Sequence, residues 1–273
     1  MERVSIMGAM TKTRIDKLLV DRGLVDNTAL AQRLLMAGQV RVNGQLILNP
    51  ATPVDPAAAL AIESGPRFVS RGGDKLEAGL QAFGLAITGR VCADVGASTG
   101  GFTDCLLHYG AVRVYAIDVG HGILDWKLRQ DPRVVVMEGM NARHIEQLPE
   151  PASLVTIDAS FISLKVLLPV VRGWLSSPGE VIALIKPQFE AERVQAARAR
   201  GVIRDPAIHR RVLLDVLAVA QGEDYEARSV LRSPLHGPKG NIEFLAYLKY
   251  PAQAASDIDQ LVAGLIEPYG GNA

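Results

Sequence analysis

Apolar residues recur at helical spacing near the start of the chain. Ile15, Leu18 and Leu19 share a face within Arg14-Ile-Asp-Lys-Leu-Leu-Val-Asp-Arg-Gly23, and Leu30, Leu34 and Leu35 do so before Gly38. This spacing predicts two short helices, each closed by its glycine. Val40-Arg-Val-Asn-Gly-Gln-Leu-Ile47 follows, an alternating pattern around Asn-Gly that predicts a hairpin. A Pro-rich piece from Asn49 to Pro56 then leads into a short strand over Ala59–Glu63. Beyond Ser64-Gly-Pro66 the rhythm changes. Lys75 to Phe83 is helical in pattern, and short apolar runs at 91–95, 113–118, 133–138, 153–158, 180–185 and 242–248 read as buried strands with helical stretches between them. Strands alternating with helices predict an α/β fold, a doubly wound and mostly parallel sheet, behind a small N-terminal α+β unit. The predicted boundaries are 12–64 for the small domain, 65–70 for a linker, 71–252 for the sheet domain and 253–273 for a C-terminal helix and tail.

Composition narrows the function classes. The 273 residues are 48% hydrophobic, enough for a sizeable core. Twenty-nine basic residues balance 29 acidic ones, so bulk charge does not drive nucleic-acid binding and any basic face must be local. Cys92 and Cys105 cannot build a disulfide framework, and a reducing, cytoplasmic location is expected. Met1–Met10 has no apolar core of a signal peptide, and Met10 is an alternative start. No uncharged apolar run reaches about 18 residues; Leu154–Val171 comes nearest, interrupted by Asp158 and Lys165. His108, His121, His144, His209 and His236 are scattered without ligand spacing, so no metal is expected, and Cys105 reads as core.

Two constellations carry chemistry. In Val91-Cys-Ala-Asp-Val-Gly-Ala-Ser-Thr-Gly-Gly-Phe-Thr103 a strand meets an acid, a glycine turn and a helix start. The glycines, spaced G-x-x-x-G-G, would let backbone pass close to a ligand. Ser98 stands where a dinucleotide fingerprint has its second glycine, so a nucleotide-like ligand without a pyrophosphate fits better, S-adenosylmethionine among them. The candidate cofactor set is Asp94, Gly96, Ser98, Thr99, Gly100, Gly101, Phe102, then Asp118 at the end of the next strand for ribose hydroxyls, and Asn141 for an adenine edge. The plainer reading makes Asp94 a cap and the glycines only a tight turn. The second constellation is Lys75, Asp158, Lys186 and Glu243, far apart in sequence but each beside a strand end or on the preceding helix. A lysine at an apolar strand end needs a partner, because burying an ammonium is costly. An ordinary structural ion pair satisfies that need as well as a catalytic one.

With these residues in place, the chain resembles the TlyA (hemolysin A) family of bacterial RNA methyltransferases. That family joins an S4 RNA-binding domain to a Rossmann-like, S-adenosylmethionine-dependent methyltransferase domain of the FtsJ type. The matching stretches run in one order: Arg14-Ile-Asp-Lys-Leu-Leu-Val, Ala37-Gly-Gln-Val-Arg-Val-Asn-Gly44, Val69-Ser-Arg-Gly-Gly-Asp-Lys75, Asp94 to Asp104, Asp158-Ala-Ser-Phe-Ile-Ser-Leu164, Lys186-Pro-Gln-Phe-Glu190 and Gly237 to Phe244. The resemblance implies a catalytic tetrad of Lys75, Asp158, Lys186 and Glu243, and methyl transfer to a cytidine ribose 2′-hydroxyl of ribosomal RNA. A lysine ordinarily titrates near about 10.4, so a lysine base needs desolvation or a second cation beside it. Lys186 is the expected base, or else a cation at the developing alkoxide.

Arg14, Lys17, Arg33 and Arg41 of the small domain, with Arg71, are the candidate RNA contacts, and ribosomal RNA or ribosomal subunits the implied partners. The stretch Arg193–Arg211 reads equally as RNA path or exposed helix. Three classes stand: RNA methyltransferase, NAD-dependent oxidoreductase and membrane-lytic protein. The glycine spacing opposes the second. The third lacks a spanning segment or long amphipathic basic helix, so no membrane insertion is expected.

Overall fold

The structure, a computed structural model, describes residues 11–63 and 65–266. Met1–Met10, with the alternative start, Ser64 of the predicted linker step, and the end of the predicted tail from residue 267 lie outside the described residues. The chain divides into two compact units, Met1–Arg67 and Phe68–Ala273.

The first unit holds helices Ile15–Asp21 and Thr28–Met36 and a three-stranded antiparallel sheet in which Val40–Val42 lies between Gln45–Leu46 and Leu60–Ile62. Asn43 (φ 49°) and Gly44 (φ 81°) both take left-handed backbone, the geometry of the turn that Asn-Gly favours. Ile15, Leu19, Ala31, Leu35 and Val40 are fully buried between helices and sheet. The Pro-rich piece also pairs: Pro53–Val54 bonds antiparallel to Thr13–Arg14.

The second unit is a seven-stranded sheet. Its strands are β1 (Val91–Val95), β2 (Arg113–Asp118), β3 (Val134–Glu138), β4 (Ala152–Ile157), β5 (Leu175–Ile185), β6 (Glu226–Arg232) and β7 (Phe244–Tyr250). The order across the sheet is β6-β7-β5-β4-β1-β2-β3. All pairings are parallel except those of β7, which runs antiparallel to both β5 and β6. Alternation along each strand feeds two cores. Ala93, Tyr115, Ile117, Val155 and Val181 face one layer with helices α3 (Leu164–Arg172) and α4 (Pro206–Gly222). Cys92, Val114, Ala116, Leu154 and Ile182 face the other, with α1 (Gly72–Phe83) and α2 (Gly101–His108).

This topology positions the site. The carboxyl ends of β1, β2, β4 and β5 share one edge, where ligands of such sheets bind. Because β7 is reversed, its first residues arrive at that same edge, with Phe244 opposite Ile185. Strand β6 has no strand-like apolar pattern, because Glu226, Arg228 and Arg232 interrupt it. It is an edge strand, and edges tolerate charge. Phe68, inside the predicted linker, is buried in the second unit's core. The C-terminal helix spans Ile258–Ala263.

Candidate active site

Four segments bring the predicted tetrad to one cleft of about 950 Å³. Lys75 is on the first turns of α1, Asp158 and Lys186 directly follow β4 and β5, and Glu243 directly precedes β7. They form two ion pairs: Lys75 Nζ lies 2.6 Å from Glu243 Oε2, and Lys186 Nζ lies 2.6 Å from Asp158 Oδ1. Lys186 Nζ also donates to the Asp158 carbonyl (3.2 Å) and to Ser160 Oγ (3.0 Å). Gln188 Nε2 donates to Glu243 Oε1 at 3.4 Å. Lys75, Lys186 and Glu243 are 8%, 7% and 1% exposed, so each lysine meets the desolvation cost with a carboxylate in contact. Removing one partner strands a buried charge. Glu243→Ala should therefore lower stability by about 3–5 kcal/mol, read by urea denaturation, and the double variant Lys75→Met/Glu243→Leu should cost less than the single one.

A second recess of about 460 Å³ opens beside the first. Asp118, Val119, Ile123, Met140 and Asn141 line it, and Gly96, Ser98, Asp158, Ser160 and Phe161 line both. Asp118 holds the glycine turn: its Oδ2 accepts from Ser98 N (2.8 Å) and its Oδ1 from Gly120 N (2.7 Å). Asn141 Oδ1 accepts from Arg143 N (3.1 Å) and caps the short 3₁₀ turn Ala142–His144. The loop after β2 is tied down by Glu138, which accepts from the backbone N–H groups of Gly122, Ile123 and Leu124. Arg129 pairs with that carboxylate at 2.5 Å and, with those donors, holds it down at about 2.

Residues 68–250 match the FtsJ-like methyltransferase family, and residues 13–59 match the S4 domain. The chain belongs to the FtsJ-like methyltransferases. This methyltransferase is 44% identical over 242 residues to the 16S/23S rRNA (cytidine-2′-O)-methyltransferase TlyA of Mycobacterium tuberculosis, across 87% of this chain and 90% of that one. It is 38% identical over 237 residues to Hemolysin A of Brachyspira hyodysenteriae, across 86% and 98% of the two chains. Among solved structures, a hemolysin-named protein from Streptococcus thermophilus matches with a TM-score of 0.69 and 41% identity, over 94% of this chain and 96% of that one.

Several predicted cofactor residues take different parts in the methyltransferase. Asp94 lines neither recess. It is fully buried, and its carboxylate accepts from Thr103 Oγ1 (2.7 Å) on α2 and Thr156 Oγ1 (3.2 Å) on β4. The glycines also allow close protein contacts, and Gly96 lines both recesses. A β-carbon on Gly96 would sit 2.8 Å from the Asp158 carbonyl oxygen, and one on Gly101 would sit 2.9 Å from Gly73 N. Gly100 (φ 98°) packs under Leu124 and Leu128. Thr99, Gly101 and Phe102 line the larger cleft only.

Burial pushes the Asp94 carboxyl up from 3.8 to about 7, against the two hydroxyl bonds. A carboxyl raised on folding binds more protons folded than unfolded between those values, so this contribution falls as pH climbs from about 4 to about 7. Asp94→Asn should flatten that part of the stability-against-pH curve, measured by thermal melts at fixed ionic strength.

The predicted RNA residues are divided between the two units. Lys17 and Arg33 are exposed; Arg14 is held by Asp16 and Arg41 by Glu63 (2.6 Å). Arg71 belongs to the second unit and lines its cleft. In the second basic stretch, Arg211 pairs with Glu192 and Arg210 with Asp259. Ser160, Phe161, Gln188, Phe189 and Lys239 also line the cleft and were not foreseen. Phe161 is 90% exposed, holds φ 65° and lies with its ring 4.9 Å from that of Phe189. Among the described residues no cluster of His, Cys, Asp and Glu could hold a metal, and no helix is long and apolar enough to cross a membrane.

Proposed function

We propose that this methyltransferase carries a methyl group from S-adenosylmethionine to the 2′-hydroxyl of a cytidine in ribosomal RNA. The observation that carries the proposal is the position of the Lys186–Asp158 pair. Asp158 lines both recesses, so the pair stands where a cofactor in the smaller one and a ribose in the larger one would meet. The matched relatives named as rRNA (cytidine-2′-O)-methyltransferases support the choice of acceptor, and the match to the S4 domain supports an RNA substrate.

The smaller recess suits an adenosyl group. Asp118 stands at the end of β2 with acceptor capacity left for ribose hydroxyls, while Val119, Ile123 and Met140 present exposed apolar surface for a purine and Asn141 a polar edge. When bound, S-adenosylmethionine supplies a methyl on a sulfonium, and its transfer leaves a ribose hydroxyl proton to be accounted for. Lys186 is the group placed to take that proton or to face the alkoxide as a cation. Asp158 and Ser160 aim its nitrogen, and Gln188 and Lys75 hold Glu243 at the floor of the same cleft. Phe161 adds an exposed ring on which an unstacked base can lie. Most of the rate would then come from holding hydroxyl and donor in line.

The test supplies radiolabelled S-adenosylmethionine and ribosomal subunits that lack the modification. Label recovered as 2′-O-methylcytidine is the expected result. Label on a base, on protein, or absent altogether overturns the proposal.

A further inference from the structure

Six charged side chains line the large cleft: Arg71, Lys75, Lys186 and Lys239 against Asp158 and Glu243, four positive and two negative. Lys75 and Lys186 are each matched by a carboxylate at 2.6 Å. The two cations left over are Arg71 and Lys239. Both are exposed, and neither has a hydrogen-bond or ion-pair partner among the described residues. Their places are related. Arg71 precedes Lys75 by four residues and Lys239 precedes Glu243 by four, so the two border the buried Lys75–Glu243 pair from its two chain segments.

Lys239 is also held in place. Its backbone takes φ 60° with Gly240 at φ 84°, a left-handed turn uncommon for a residue with a side chain. Gly237 N donates to Asn241 O (2.8 Å) and Gly240 N to Gly237 O (3.1 Å) across that turn. Asn241 then anchors it, accepting from Ile203 N (3.1 Å) and donating to the Gly201 carbonyl (2.9 Å). A fastened turn presenting an unmatched lysine into a cleft already charge-balanced below it is a receptor for an anion.

We infer that Arg71 and Lys239 grip the RNA backbone phosphates on either side of the target ribose, setting its register over the Lys186–Asp158 pair. The inference rests on the proposed RNA 2′-O-methylation. Two backbone phosphates carry two negative charges, which cancel the cleft's excess of two. The tetrad lysines cannot supply this hold, since each is already matched by a carboxylate at 2.6 Å.

The test uses the full chain with Arg71→Ala, Lys239→Ala and Lys239→Arg, unmodified ribosomal subunits, and binding measured across a salt series. Each alanine variant should weaken subunit binding and raise KM roughly tenfold, and reduce the slope of log K against log salt by about one. The loss should sit in KM, with S-adenosylmethionine affinity unchanged and Lys239→Arg close to wild type. Unchanged salt slopes in a wild-type background that methylates RNA overturn the grip alone. So does a fall in kcat at unchanged KM, which would make Lys239 a support for Glu243. A wild-type chain that methylates no RNA overturns the underlying function instead.

Discussion

Lys186→Ala should lower single-turnover methyl transfer by at least about 10³-fold while S-adenosylmethionine still binds, as read by calorimetry. The separation of the two readouts follows from geometry. Lys186 lines the large cleft but not the recess assigned to the cofactor. The variant should also fold, because the Asp158 carboxylate it leaves behind is 22% exposed and can turn to water. Lys186→Arg then separates the two roles open to the lysine. Arginine keeps the positive charge but cannot accept a proton near neutrality. Substantial rescue marks a cation at the alkoxide, and loss as deep as alanine's marks a proton acceptor. Near wild-type turnover in Lys186→Ala would falsify the assignment altogether.

Gly96→Ala should cost about 2–4 kcal/mol of stability and slow transfer by roughly 10–10². Two effects add. Gly96 sits at φ 85°, which penalises any β-carbon, and that carbon would meet backbone atoms, the Asp158 carbonyl oxygen at 2.8 Å and the Ala159 Cα at 3.0 Å. Backbone cannot swing aside as a flexible side chain can. The segment that must retreat carries Asp158, so the stability loss and the rate loss share one cause. Gly84→Ala is the matched control. It has φ 65° but nothing within 4 Å of its missing β-carbon, so only the conformational cost of about 1–2 kcal/mol remains. Equal losses in the two variants, by urea denaturation, would show that the contact with Asp158 does not matter.

Much of this was legible in the residues themselves. Short apolar runs ending in Asp118, Asp158 and Lys186 located the sheet's ligand edge, because a buried strand that stops at a charge marks where solvent begins. Asn43-Gly44 located the hairpin for an equally local reason, the need for left-handed backbone at both positions. What stayed hidden depends on contacts between distant segments. Gly96 and Gly101 look alike in sequence whether or not another stretch of backbone crosses them, and only the fold shows the packing against Asp158 and Gly73. Asp94 beside a glycine turn reads as a ligand contact, yet Thr103 and Thr156, nine and 62 residues away, close around it. Phe161 gave no periodic signal because its conformation belongs to a loop. Strand β6 carries too many charges to announce itself. The pairing of Lys75 with Glu243 came from family resemblance in outline, but its direct contact needed the reversed direction of β7.

That contact spans 168 positions of the chain. A nascent chain therefore holds the whole nucleotide recess before Glu243 has been synthesised, and at that stage it leaves Lys75 uncompensated. Premature stop codons anywhere upstream of the final strand should behave as complete nulls, even where they spare every residue from Asp94 to Lys186.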